Sequence, residues 1–357
     1  MLIEGTARVV DHYHCLMSVQ GDLWQRHPLY GWRHRPDAAG WAKSCLGAKV
    51  EWQTYTRINS LGLRDREIPY ARSEKFRILV LGDSFTEAIQ VGAEETFTKQ
   101  LEQRLGAGVE VIDGGTAGWG TDNELLFYLY EGRRYRPDLV LLAFNTGNDV
   151  LESYTPLMRA GAFPYPPKPY FLPEGGGLVL HGSPVPPLPD APVVSEAKEW
   201  LLRRSVVYRL VRSLDLPRLV RPAHAAEGLA LEGSVIDVLR RDYPPEWKQA
   251  WQVTQTLVRR VQHAATRDGA RFAVVVFTSV HEVSPRYWNW KLKSAPYPAV
   301  DYDVDKPNRV ITAFLVRQDI PAISLLDGFR AHLRATGRTG YFEWDPHWNA
   351  EGHALAA

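Results

Sequence analysis

The sequence is poor in sulfur: Cys15 and Cys45 are its only cysteines, and it has three methionines. Two cysteines make no disulfide framework and no CxxC pair. They either join each other in an oxidising compartment or stay as small buried hydrophobes. The His12-Tyr13-His14-Cys15 tract has no second half at zinc spacing, so no metal is expected there. Charge of either sign is not in excess, with 42 Lys and Arg against 41 Asp and Glu. No basic face is advertised, which argues against nucleic acid or an anionic membrane as the main partner. No apolar run approaches the roughly 18 residues of a membrane span, and Met1-Leu2-Ile3-Glu4 is not a signal peptide. The chain stops at Ala356-Ala357 inside a helical pattern, which leaves localisation open, extracytoplasmic included. GxxxxGK[ST] and GxSxG are both missing, which sets aside a phosphate loop and the α/β-hydrolase elbow. Nothing in the sequence specifies an oligomeric state.

Tryptophan, by contrast, is plentiful at 12 residues. Residues 1–73 hold Trp24, Trp32, Trp41 and Trp52 among many Gly and Pro. Beyond a possible first helix they show little periodicity, and read as an N-terminal extension packing on a main domain of residues 74–357. Asn59 to Asp65 reads as a turn leading into the first strand.

From Phe76 the pattern alternates strand and helix. Ile78–Leu81, Val109–Ile112, Leu139–Phe144, Phe272–Phe277 and Ile320–Leu325 are continuous apolar runs, as parallel strands covered on both faces require. Helical periodicity covers Glu94–Leu105, Asp122–Arg134, Glu246–Arg267 and Lys306–Arg317. Five strands with right-handed crossovers predict a three-layer α/β/α sandwich around a doubly wound parallel sheet. An insertion at about 152–242 interrupts it. The proline-dense first half, Thr155 to Val194, is expected to form neither helix nor central strand, and the second half, Glu196–Leu214, to be helical. At a sheet edge that carries a site, such an insertion shapes substrate access.

Four pieces fall at or after predicted strand ends: Gly82-Asp83-Ser84, the glycine-rich turn Asp113 to Thr121, Asn145 to Asp149, and Trp344 to Asn349. Open α/β sheets bind ligands beyond that edge. Together the pieces supply an acyl-transfer apparatus. The Ser84 hydroxyl needs a base, a task that suits a histidine side chain, and His347 is the candidate. An imidazole needs a carboxylate to hold its tautomer, and Asp345 is two residues away. The developing oxyanion needs donors, which the N–H groups of Ser84 and Gly118 and the amide of Asn148 supply. Gly118 has no Cβ to obstruct the substrate. Trp119, His281 and Trp348 flank these blocks and are substrate-side candidates. Asp301 to Asp305 lacks the glycine and terminal Glu of a calcium loop and reads as a helix entry.

The GDSF, GTAGWGT, NTGND and DPHWN blocks, in this order, resemble the SGNH (GDSL-type) hydrolases, whose named residues match Ser84, Gly118, Asn148 and His347. The resemblance covers Phe76 to the C-terminus, apart from the insertion. It implies a flavodoxin-like fold, a Ser-His-Asp triad, a three-donor oxyanion hole, and no metal or organic cofactor. Many members carry Asp-x-x-His; here a single residue separates Asp345 from His347, a spacing similar to that of SGNH-like proteins that acetylate or deacetylate polysaccharides. The leading expectation is a serine esterase acting on a small acyl group of a carbohydrate or other polar substrate, because no long apolar groove is written in the sequence. An O-acyltransferase using the same residues is the alternative, and a silent carbohydrate-binding or scaffold protein is a further one.

Overall fold

The computed structural model describes residues 23–46, 49–160, 166–186 and 235–357, with isolated positions before residue 21 and between 201 and 208. The N-terminal region is richer in strand than its sequence suggested. Strands β1 (Val19–Gln20), β2 (Trp24–His27), β3 (Gly31–His34), β4 (Ala39–Leu46) and β5 (Lys49–Arg57) form two antiparallel units, a β2–β3 ladder and a β1–β4–β5 sheet. This corrects the expectation of a segment with little regular order. The alternation is hidden because polar and aromatic residues trade places: Trp41 and Tyr55 are exposed, while Lys43 between them is buried. Cys45, on β4, is disulfide-bonded. Cys15 and the His12 to Cys15 tract lie outside the described residues.

The core follows as β6 (Phe76–Gly82), α1 (Ser84–Glu87), α2 (Phe97–Leu105), β7 (Val109–Gly115), α3 (Thr121–Tyr130), β8 (Leu139–Asn145) and α4 (Asp149–Glu152). Next come α5 (Thr155–Ala160), β9 (Tyr170–Glu174), β10 (Gly177–His181), α6 (Pro245–Arg267), β11 (Arg271–Phe277), α7 (Val280–Val283) and α8 (Pro285–Leu292). The chain closes with α9 (Lys306–Arg317), β12 (Ala322–Ser324), α10 (Leu326–Thr336) and α11 (Ala350–Ala356).

Strands β12-β11-β8-β6-β7 pair in that order, all parallel. Successive residues of β6 serve opposite layers. Leu79 and Leu81 join Phe127, Leu257 and Ile311 from α3, α6 and α9. Ile78 and Val80 join Phe97, Phe329 and Trp348 on the other side. Burial on both faces is why the strand sequences are apolar throughout. The fold is thus the expected α/β/α sandwich. Its order reverses direction at β6, so the crevice beyond β6 and β8 is the switch point where such sheets take ligands.

Several boundaries differ from the sequence pattern. The helix expected from Glu94 begins at Phe97, where the Thr96 hydroxyl accepts from the Lys99 N–H at 3.4 Å. The last strand shrinks to Ala322–Ser324 on the sheet edge. Helices α8 and α10 have no counterpart among the expected elements. The proline-dense stretch opens with a helix, contrary to expectation, and also holds a two-stranded ladder, which is no central strand. Pro156 sits in the first turn of α5, where its missing N–H costs nothing. Pro173 lies in a two-stranded ladder, β9–β10, in which every strand is an edge. The expected helix Glu196–Leu214 lies almost entirely outside the described residues. Among the described residues, no helix is long and apolar enough to cross a membrane.

Candidate active site

Strand β6 ends at Gly82, and Asp83 caps α1, its Oδ1 accepting from the Phe85 N–H at 2.9 Å. This cap turns the chain so that Ser84 opens the helix at the sheet edge. His347 Nε2 lies 2.8 Å from Ser84 Oγ, and His347 Nδ1 lies 2.5 Å from Asp345 Oδ1. Asp345 Oδ1 also accepts the backbone N–H of His347 at 3.0 Å. This local turn folds the carboxylate under its own histidine, which is how one intervening residue suffices.

The N-terminal sheet completes the arrangement. Trp52 on β5 donates its indole N–H to Asp345 Oδ2 at 2.8 Å. Glu51 accepts the backbone N–H groups of Trp344 and Asp345 at 2.8 and 2.9 Å. Burial pushes the Asp345 carboxyl up, but the hydrogen bond and charge of His347, with the Trp52 indole, outweigh it and leave Asp345 below the ordinary carboxylate range. An ionised Asp345 only accepts, so Nδ1 of His347 carries the proton and Nε2 is free to accept from the Ser84 hydroxyl. Such a chain can withdraw a proton from serine oxygen as that oxygen attacks a carbonyl.

The three expected oxyanion donors differ in their engagement. Gly118 sits at φ +75°, a conformation that favours glycine. Its loop is held by the Ala117 N–H donating to Glu87 Oε2 at 3.0 Å. Glu87 also accepts from the Trp24 indole and pairs with His34, which locks β2 and β3 against α1. Among the described residues, the N–H groups of Ser84 and Gly118 have no acceptor. Asn148 is different: its amide donates to Asp83 Oδ2 at 3.0 Å and to Glu152 Oε2 at 2.9 Å. Both amide hydrogens of Asn148 are held by carboxylates in this structure, so its expected donor role calls for the exchange of one of those contacts.

Ser84, Asn148 and His347 line a cleft of about 270 Å³. Its wall is apolar, built by Leu151 on α4, Val280 on α7 and the turn Val235–Leu239 at the end of the insertion. These residues come from three separate segments, so no contiguous stretch announced them. His281 lies on this wall; burial, then the charge of Lys291, lowers its pKa to about 4, so it is neutral at pH 7. Trp119 and Trp348 do not face the cleft, and their reading as substrate-side residues is corrected. The Trp119 indole donates to the Trp32 carbonyl at 3.1 Å within the core, and Trp348 is fully buried among Phe85, Phe277 and Phe329. A second groove, of about 540 Å³, runs beside the Asp345 end between Trp344, Tyr287 and Trp290.

The sequence matches no protein-family model and no curated protein. Many solved GDSL-type lipolytic proteins and acetyl xylan esterases are similar to it in structure over about 80% of its length. Acetyl xylan esterase AlAXEase aligns at 12% identity and TM-score 0.40, covering 78% of this chain and 94% of its own. A member of the lipolytic protein G-D-S-L family from Veillonella parvula DSM 2008 aligns at 11% identity and TM-score 0.37, covering 79% and 93%. A GDSL-like lipase from Bacteroides thetaiotaomicron VPI-5482 aligns at 10% identity and TM-score 0.37, covering 81% and 87%. At these values the likeness is one of overall shape, and the chemistry has to be argued from the site itself.

Proposed function

We propose that this protein is a serine ester hydrolase in which Ser84 is the nucleophile, His347 the general base and Asp345 its orienting carboxylate. The observation that carries this reading is the continuous hydrogen-bonded chain from Ser84 Oγ through both ring nitrogens of His347 to Asp345, at the mouth of a cleft. Ser84 Oγ adds to the ester carbonyl while its proton passes to His347 Nε2. The tetrahedral oxyanion is received by the N–H groups of Ser84 and Gly118, and by Asn148 once one of its hydrogens leaves a carboxylate. The imidazolium returns the proton to the departing alkoxide, and water repeats the sequence in reverse on the acyl-enzyme. No other group is required for these steps.

The cleft volume of about 270 Å³ lies under the range of about 300–1,000 Å³ usual for drug-sized ligands, which supports a short acyl group. We assign the alcohol half to the groove beside the Asp345 turn, where exposed Trp290 and half-buried Trp344 stand beside Arg286 and Glu343. Flat aromatic faces next to charged groups suit a carbohydrate, so we assign the substrate as an acylated sugar chain. The test is labelling by a fluorophosphonate together with release of nitrophenol from p-nitrophenyl acetate. Wild type should do both and Ser84→Ala neither; labelling that persists in Ser84→Ala defeats the proposal.

A further inference from the structure

Along the turn from Gly115 to Thr121, one backbone N–H stands apart. Gly115 donates to Asp113 Oδ1 at 3.0 Å, Thr116 to the Gly82 carbonyl at 3.1 Å and Ala117 to Glu87 Oε2 at 3.0 Å. Trp119 donates to the Thr116 carbonyl at 3.2 Å, Gly120 to Asn123 Oδ1 at 3.4 Å and Thr121 to Ser153 Oγ at 2.9 Å. Gly118 is buried, and its N–H has no acceptor among the described residues. Buried N–H groups without a partner are rare in native proteins, so this one calls for a partner from outside the chain.

The peptide that carries this N–H is held from its other side. It is trans, so its carbonyl, that of Ala117, points the opposite way from the Gly118 N–H. That carbonyl accepts the indole N–H of Trp32 at 2.9 Å. Trp32 lies on β3, in the N-terminal ladder, and is 4% exposed. Its own backbone carbonyl takes the Trp119 indole at 3.1 Å, so one residue grips the turn on both sides of Gly118. The preceding peptide is tethered as well, through the Ala117 N–H on Glu87. A peptide is planar, and fixing its oxygen fixes the direction of its N–H. Hydrogen bonds in a chain also polarise one another, so a donor on the carbonyl makes the N–H of the same peptide a stronger donor.

We propose that Trp32 is a positioning residue for acyl transfer: its indole N–H holds the Ala117 carbonyl and so aims the Gly118 N–H at the developing oxyanion. The inference rests on the reading of Gly118 as an oxyanion donor. It makes the β2–β3 ladder, which lies outside the α/β/α core, a working part of the site.

The test is Trp32→Phe in the full chain, which keeps a buried aromatic ring and loses the donor. With p-nitrophenyl acetate, kcat should fall about tenfold at unchanged KM, less than the 10²–10³ lost when a whole oxyanion donor is removed, because the donor is misaimed and not deleted. The pH midpoint of kcat/KM should stay where it is, since His347 and Asp345 are untouched. A boronic acid, which forms a tetrahedral adduct on the serine oxygen, should bind more weakly by the same factor as kcat falls. Trp32 replaced by 3-benzothienylalanine, which exchanges only the N–H for sulfur, should behave alike, and it decides the matter where Trp32→Phe fails to fold. Unchanged kcat in the folded variant overturns the proposal and leaves the serine-hydrolase reading intact. So does a loss that appears in KM or moves the pH midpoint, because a loosened fold and not a misaimed donor produces it. Failure of the reading itself looks different: wild type would then show neither turnover nor labelling at Ser84, and the proposal would fall with it.

Discussion

The Trp52 indole donates a 2.8 Å hydrogen bond to Asp345 Oδ2, joining the N-terminal sheet to the carboxylate that faces His347. The other oxygen, Oδ1, is taken by the imidazole and the backbone N–H of His347, so Trp52 fixes the rotation of the carboxylate that the imidazole needs. A hydrogen bond to a charged group is worth about 1.5 kcal/mol at the low end, or about tenfold in rate. Trp52→Phe should therefore lower kcat/KM for p-nitrophenyl acetate about tenfold, chiefly in kcat, while fluorophosphonate still labels Ser84. An unchanged kcat would reduce Trp52 to packing. Asp345→Asn should be far worse, by about 10² or more, because it favours the wrong tautomer of His347.

Asn148 shares its amide between Asp83 and Glu152, so its part in the reaction calls for exchange of the Glu152 contact for the substrate oxygen. Removing one such donor costs about 10²–10³ in kcat. Asn148→Ala is expected to show that loss with KM little altered. A variant that instead raises KM at constant kcat would assign Asn148 to ground-state binding.

The layers and the sheet were legible because the strands are buried on both faces, and an unbroken apolar run such as Ile78 to Leu81 suits no half-exposed element. Ser84 was legible because it follows the end of β6 and opens α1, and Asp345 and His347 because they stand together in one short polar block just before α11. The supporting residues were not. Trp52 and Glu51 lie almost 300 residues from Asp345 in sequence, on a strand whose alternation is blurred by partial burial on both faces. The aromatic candidates failed for the opposite reason. Trp119 and Trp348 adjoin the site in sequence, but their side chains turn back into the core.

Glu282 supplies a test of how burial couples to pH. Burial raises its pKa to about 7, against hydrogen bonds from Thr146 and Ser279 that lower it. Between the ordinary carboxylate value of about 4.5 and about 7, the native state holds this proton and the unfolded chain does not. Its contribution to stability is thus favourable near pH 5 and is lost as pH rises through 7. Urea midpoints at pH 5, 6, 7 and 8 should fall more steeply for wild type than for Glu282→Gln, which keeps an acceptor for Ser279 but cannot ionise. Parallel curves would mean that Glu282 is ionised throughout.

The proposed seat of the alcohol in the groove beside Asp345 can be tested apart from the chemistry. Trp290 is 63% exposed, and Trp344 carries the Lys49 ammonium over its ring at 4.6 Å. An indole that exposed contributes little to the fold, so its removal should leave the melting temperature unchanged. Loss of one aromatic face contact is worth about 1 kcal/mol, or about fivefold. Trp290→Ala should raise KM about fivefold for an acetylated polysaccharide and leave p-nitrophenyl acetate turnover untouched, because the small ester never reaches the groove. Equal losses on both substrates would show that Trp290 acts through the fold of α8, whose continuation from α7 carries the cleft wall at Val280. A loss on neither would take the sugar chain out of the groove and leave only the cleft to define the substrate.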